Sequence, residues 1–289
     1  MLPYRIYLSG GGMCGIAHVG ALIELSKYIP LKAIKEWMGV SAGSFMSMCL
    51  CIGYTLEELK ELCVKFDFAH IKDHDSVPGC LLHFGIDTGE RLTKLIEACL
   101  HVKGLSSDFT FIECKEKFGL SLRIVATDVN DAVPVTFSPT DTPNYKLSNA
   151  VKASMSYPYY YQPFICPVTN HYLIDGGVIS NYPLSVLPEE EHSRTLGILI
   201  RWTINKVENL LELDIDKLIV RPLYISLNDR GTKEAKIYSA KCIEIILENV
   251  DVIDFHLDID TKNRIINTGK KSVEKYFKET KKIKRRHSL

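Results

Sequence analysis

Apolar and polar positions follow two rhythms along this chain, and the switches between them mark its elements. Short apolar runs read as strands at Tyr4 to Leu8, Glu36 to Val40, Leu120 to Thr127, Val133 to Phe137, Tyr172 to Ile174, Leu196 to Trp202 and Val252 to Leu257. Helical spacing appears between them. Gly15 to Ile29 carries Val19, Leu22, Ile23 and Leu25 on one face, and Ser44 to Cys51 reads as a buried helix. Thr55-Leu-Glu-Glu58 is a capping box that opens another helix. Thr88 is placed to cap a helix up to about His101, with Gly104 beyond its end. Further helices are expected at Leu147 to Met155, Lys233 to Asn249 and Lys262 to Phe277. Such alternation predicts an α/β domain, a mainly parallel central sheet with helices on both faces. Ligands in such sheets sit at the carboxyl ends of the strands. The stretch Lys65 to Gly85 looks irregular and is a candidate cap or lid.

Composition changes this picture little. The 289 residues are 46% apolar and 24% charged, a globular balance. Lysine plus arginine and aspartate plus glutamate both number 35, so net charge gives no reason to expect nucleic acid as a partner. No signal peptide and no membrane-spanning run is evident, which predicts a cytoplasmic protein whose membrane contact is peripheral. The nine cysteines include no CxxC pair and fall mostly in apolar stretches, as at Cys49, Cys51, Cys63 and Cys99, which predicts reduced, buried thiols.

Two glycine motifs carry the candidate chemistry, both at strand-to-helix turns. Ser9-Gly10-Gly11-Gly12-Met13-Cys14-Gly15 follows the first strand and opens a helix, where unobstructed amides suit an anion. It reads as a pyrophosphate cradle, as an oxyanion hole or as a plain tight turn. The cradle wants an acidic residue closing the second strand, and here that strand runs into Gly39-Val40-Ser41. Gly39-Val40-Ser41-Ala42-Gly43 has the Gly-x-Ser-x-Gly form of a nucleophile turn, in which the strained backbone pushes the serine hydroxyl outward. A Ser41, Asp175, His256 triad satisfies the usual chain order of α/β-hydrolases. Against it, only one strand–helix unit precedes Ser41, and His256 falls inside an expected strand.

A glycine loop, then Gly-x-Ser-x-Gly, then Asp175-Gly176-Gly177 is an ordered set that resembles the patatin-like phospholipase family. Ser9-Gly-Gly-Gly12, Gly15-Ile-Ala-His-Val-Gly20, Ala126-Thr-Asp128, Ala150-Val-Lys-Ala-Ser-Met-Ser156 and Asp175-Gly-Gly-Val178 with Asn181-Tyr-Pro183 extend the likeness. It thins beyond Trp202. The resemblance implies a three-layer patatin-like fold with a catalytic domain over residues 5–202. Residues 203–289 are then expected to pack on or complete that domain, with a basic tail at 278–289. It also implies a lipid acyl hydrolase, phospholipase A-like, acting through a Ser41–Asp175 dyad and an acyl-enzyme. Main-chain amides of Gly10, Gly11, Gly12 and Met13 would form its oxyanion hole. Gly15, Gly39, Gly43, Gly176 and Gly177 would support these motifs. No cofactor and no metal is implied, and the expected partner is a lipid substrate at a membrane or droplet surface.

The chain departs from the family at Cys14, where many members carry Arg or Lys. That keeps two alternatives open: a triacylglycerol lipase or general esterase of the same family, and a catalytically weak lipid-binding protein. His18 is expected to brace the glycine loop. His70 and His74, four apart beside Asp73 and Asp75, are expected to be a solvated loop rather than metal ligands. The aromatic cluster Tyr157, Tyr159, Tyr160 and Tyr161 suits either a lipid–water interface or a packed loop.

Overall fold

A computed structural model describes the chain except residues 1, 74–83, 183, 204–214, 238–241, 249, 253 and 288–289. Its elements in chain order are β1 (Arg5–Leu8), α1 (Ala17–Leu25), β2 (Glu36–Val40), α2 (Ala42–Cys51), α3 (Leu56–Lys65) and β3 (Gly85–Asp87). Then come α4 (Glu90–Val102), α5 (Phe111–Phe118), β4 (Ser121–Asp128), β5 (Val133–Phe137), α6 (Leu147–Ser154), β6 (Tyr159–Tyr161), β7 (Phe164–Ile165) and β8 (Tyr172–Asp175). The last are α7 (Glu189–His192), β9 (Thr195–Trp202), α8 (Ile215–Ile237), β10 (Cys242–Leu247) and α9 (Ile259–His287).

The main sheet runs β10-β9-β1-β2-β4-β8-β7, with β5 also on β4. From β10 to β4 every pairing is parallel, and β5, β7 and β8 add antiparallel pairs. Side-chain alternation sorts the strands onto two faces. Ile6, Leu8 and Trp37 enter the larger core with α1, α2 and α9, whereas Tyr7, Met38, Val40 and Leu199 enter a smaller one with Tyr182, Leu184 and Leu187. Buried on both sides, the central strands are continuous apolar runs, as parallel strands must be. Two capping boxes fix helix starts. Thr55 Oγ1 accepts from Glu58 N at 3.1 Å while Glu58 Oε2 accepts from Thr55 N at 2.7 Å, and Thr110 and Glu113 do the same for α5.

Three expectations are corrected. Helix α4 is capped by Gly89 in the left-handed conformation, and Thr88, one residue further out, accepts from Glu90 N at 3.2 Å through an Oγ1 that donates to Asp73 Oδ2. The helix expected over 233–249 ends at Ile237, and Cys242–Leu247 is a strand. Its period is two: Ile243, Ile245 and Leu247 are buried and Glu244 and Ile246 exposed. The expected strand over 252–257 is instead an irregular segment. Val252 and Phe255, three apart, turn inward, and His256 is exposed. The described cysteines are free thiols, all buried except the half-buried Cys242; Cys80 lies outside the described residues. No helix among the described residues is long and apolar enough to cross a membrane.

Candidate active site

The carboxyl ends of β1, β2 and β8 converge on one point. Ser41 leaves β2 with φ 52° and ψ −127° and starts α2 immediately. A non-glycine residue held there is strained, and the turn persists because its surroundings over-determine it. Ser41 N donates to Ser154 Oγ at 2.8 Å, and Ser154 Oγ donates to Val125 O at 2.7 Å. Ser44 Oγ donates to Ser41 O at 2.6 Å. The flanking glycines answer to space. A Cβ on Gly39 would lie 2.3 Å from Gly43 O, and one on Gly43 would lie 2.1 Å from Leu8 O.

Asp175 ends β8 and is 3% exposed. Burial pushes its carboxyl up to about 7, against a hydrogen bond from the Ser41 hydroxyl and one from Gly177 N at 2.8 Å. Gly176 lets this turn lie against β4, since a Cβ there would sit 2.3 Å from Val125 O. The structure therefore brings Ser41 and Asp175 together. His256 contributes nothing to this pair: its side chain is exposed, and Asp175 has its hydrogen bonds from Ser41 and Gly177.

The glycine loop lies directly beside Ser41. A Cβ on Gly10 would sit 2.9 Å from Ser41 Cβ and 2.7 Å from Asn181 Oδ1. His18, buried in α1, donates from Nε2 to Ser9 O at 2.8 Å, and burial holds it near pKa 4, so it is neutral. Ser9 Oγ accepts from Ile200 N at 2.8 Å, and Asn181 Nδ2 donates to Gly10 O at 3.3 Å. Gly11 and Gly12 open a short 3₁₀ turn over Gly12–Ile16, where the first amides have no carbonyl behind them. Gly15 sits in that turn against α2, and a Cβ on it would lie 2.5 Å from Ala42 Cβ.

The four amides expected to form an oxyanion hole are not alike. Met13 N donates to Val252 O at 2.8 Å, so its amide is already engaged. The same carbonyl would lie 2.1 Å from a Cβ on Gly12, whose φ is +51°. We therefore expect Gly12→Ala to push the loop off Val252 and lower kcat/KM at least about 10²-fold, the usual loss of one oxyanion donor. Steady-state assay beside an unchanged fold by circular dichroism checks this.

Cys14 is fully buried and its thiol is pushed up to about 12, chiefly by that burial. It supplies neither a cation nor a thiolate nucleophile. Above Ser41 opens a cavity of about 1040 Å³ counted to its mouth, with Ser41, Asp175 and Gly10 to Gly12 in its wall. The rest of that wall is almost wholly apolar, including Phe45, Met46, Phe68, Leu92, Leu95 and Phe255. Tyr160 stacks on Phe255 at 5.3 Å between centroids, and three of the four tyrosines of the cluster line that wall: Tyr160 and Tyr161 are buried, Tyr157 is half-buried, and Tyr159, outside the wall, is exposed. Of the residues expected to be a solvated loop, His70 is exposed; His74 lies outside the described residues.

Ser154 and Val252 are positioning groups that the sequence does not reveal. Ser154 lies within the family-like stretch 150–156, where nothing in the spacing marks it out, and Val252 is remote in sequence from the loop it holds.

The family model for patatin-like phospholipases matches residues 6–188. The chain belongs to that family. An uncharacterized protein of Acanthamoeba polyphaga mimivirus is 29% identical over 280 residues, covering 93% of this chain and 92% of its own. A protein of Invertebrate iridescent virus 6, named as a probable lipid hydrolase, is 30% identical over 63% of this chain and 62% of its own. Among solved structures, VipD from Legionella pneumophila superposes with a TM-score of 0.65 at 15% identity, over 95% of this chain and 66% of VipD. The type III effector ExoU gives 0.51 at 16% identity, over 96% of this chain and 53% of ExoU. The chain thus spans about two thirds of one and about half of the other, and these likenesses show the fold.

Proposed function

We propose that this protein is a lipid acyl hydrolase working through Ser41 and Asp175. One observation carries the proposal: Ser41, half-exposed and with a strained backbone, donates from its hydroxyl to a buried carboxyl raised to about 7, at the foot of an apolar cavity. An ordinary aspartate, near 3.9, is a poor base; burial makes this one a base matched to neutral pH. Ser41 Oγ attacks the ester carbonyl, its proton passes to Asp175, and the carbonyl electrons move onto the oxygen. The amides of Gly11 and Gly12, with Gly10, face that oxyanion. Collapse breaks the ester bond, and the leaving alcohol takes the proton from Asp175. Water, deprotonated by Asp175, then attacks the acyl-enzyme and releases the fatty acid and Ser41.

The apolar cavity supports a long acyl chain as the group held during attack. Phospholipids are the substrate class that we favour, met at a membrane surface. Cys14 supports a second reading within the family: with no cation in the glycine loop at that position, neutral glycerides at a droplet surface would be bound as well. The same proposal takes residues 5–202 as the catalytic unit and 203–289 as its completion, with β10 on the sheet edge and Val252 on the glycine loop.

Acyl preference tests the cavity. Leu92→Trp, which fills wall space, is expected to lower hydrolysis of a palmitoyl ester about tenfold or more and to leave a butyryl ester within about twofold. Equal loss on both esters would remove the cavity from the acyl site. Product masses from mixed phospholipid and triacylglycerol vesicles decide between the two substrate classes.

A further inference from the structure

A second concavity lies at the opposite end of the sheet, where β1, β2 and β4 begin. It encloses about 770 Å³ and is walled by polar groups, among them Arg5, Glu36, Lys115, Arg123, Glu191 and Arg194. Four of these six are cations. The two carboxylates are already engaged: Glu36 accepts from Arg5 Nη2 at 2.7 Å and Arg123 Nε at 2.8 Å, and Glu191 accepts from Arg5 Nη2 at 2.6 Å. Asp141, accepting from Arg123 Nη1 at 3.2 Å, completes that network. Among the described residues Lys115 and Arg194 meet no carboxylate; Arg194 lies over the Tyr4 ring at 4.6 Å. A second observation comes from the floor. Arg5 is 2% exposed, yet its Nε–H has no acceptor among the described residues, although its other nitrogens are bonded to Glu36, Glu191 and Thr195.

We propose that this cleft binds a small phosphate-bearing anion. Lys115 and Arg194 at the rim face no carboxylate, the four cations against three carboxylates leave the cleft net positive by one, and a guanidinium fork suits a phosphate's paired oxygens. The hydroxyl-bearing residues Ser121 and Thr140 in the wall add hydrogen-bond capacity. The site is separate from the hydrolytic one. Arg5 and Glu36 start the two strands whose far ends lead to Gly10 and Ser41, roughly 15 Å away at about 3.3 Å per residue. It therefore stands whether or not the Ser41–Asp175 reading does.

Calorimetric titration of the full chain with inorganic phosphate, at ionic strength matched with chloride, tests it. We expect saturable binding, at least about tenfold weaker in Lys115→Gln/Arg194→Gln. Both residues are exposed, so the variant should fold. Binding should be unchanged in Ser41→Ala and in the control Lys271→Gln/Lys275→Gln, which alters two exposed lysines of α9. Displacement by glycerol 3-phosphate would mark a soluble phosphomonoester as the source. Retention on phosphatidate vesicles, lost in the Lys115/Arg194 variant, would mark a lipid headgroup. No binding beyond that of chloride, or equal binding by the wild type and the Lys115/Arg194 variant, would overturn the proposal.

Discussion

Ser41→Ala is expected to lower ester turnover by about 10⁴-fold or more while leaving the fold intact, and Asp175→Asn to do nearly the same. Neither loss should add to the other, because the two side chains act as one unit: once the hydroxyl is gone there is no proton for the carboxylate to take. The wild-type pH profile follows from the carboxyl raised to about 7. Only the ionised form accepts the serine proton, so kcat/KM should rise through about pH 7 and level off above it. An activity that stayed flat down to about pH 5 would mean that Asp175 is not the base. Turnover on a chromogenic butyryl ester, across buffers from about pH 5 to about pH 9, gives both results together.

The second large effect is on stability, and it is opposite in direction. Asp175 ionises near 3.9 when unfolded and near 7 when folded, so its native pKa is raised. Below about pH 4 both states hold the proton and burial of this group costs nothing through ionisation. Between about pH 4 and about pH 7 the unfolded chain has released it and the native chain has not, so stability falls as pH rises. A carboxyl moved from about 4 to about 7 on folding costs up to about 4 kcal/mol above pH 7. Asn cannot ionise. Asp175→Asn should therefore melt several degrees higher than the wild type at about pH 8 and near the wild-type temperature at about pH 4. Dead but hardier is the signature expected of a catalytic carboxylate held in an apolar site. A variant that is dead and less stable at about pH 8 would make Asp175 a structural residue.

Much of this site is legible in the sequence because its parts are local. The strain of Ser41 and the crowding at Gly39 and Gly43 are consequences of a five-residue turn, and the motif displays all of them. Asp175-Gly176-Gly177 pairs with that turn only through the family's order of motifs, since by itself an Asp-Gly step is a common turn. His18 is legible as a brace from its place one turn after the glycine loop, and its bond to Ser9 O agrees. Of the four amides expected as oxyanion donors, that of Met13 is engaged by Val252. No local pattern could show that, because the partner is a carbonyl in an irregular segment more than 200 residues on. The same segment explains why no strand forms at 252–257. Val and Phe there favour a strand by composition, but the Val252 carbonyl holds the glycine loop, and Phe255 lines the cavity. The strand at Cys242–Leu247 is hidden for another reason. Its alternation is short, and it follows directly on a helical pattern that enters at Lys233. The two cations of the second cleft, Lys115 and Arg194, are exposed residues from distant parts of the chain, and only folding brings them to one mouth.

The most direct test of the central proposal is the mass of the protein after reaction with a lipid-like fluorophosphonate, with the modified peptide located by tandem mass spectrometry. The proposal predicts one adduct on Ser41 in the wild type, formed much more slowly in Asp175→Asn and absent from Ser41→Ala. Full ester turnover with no adduct on Ser41, or an adduct on another residue that accompanies loss of activity, would contradict it.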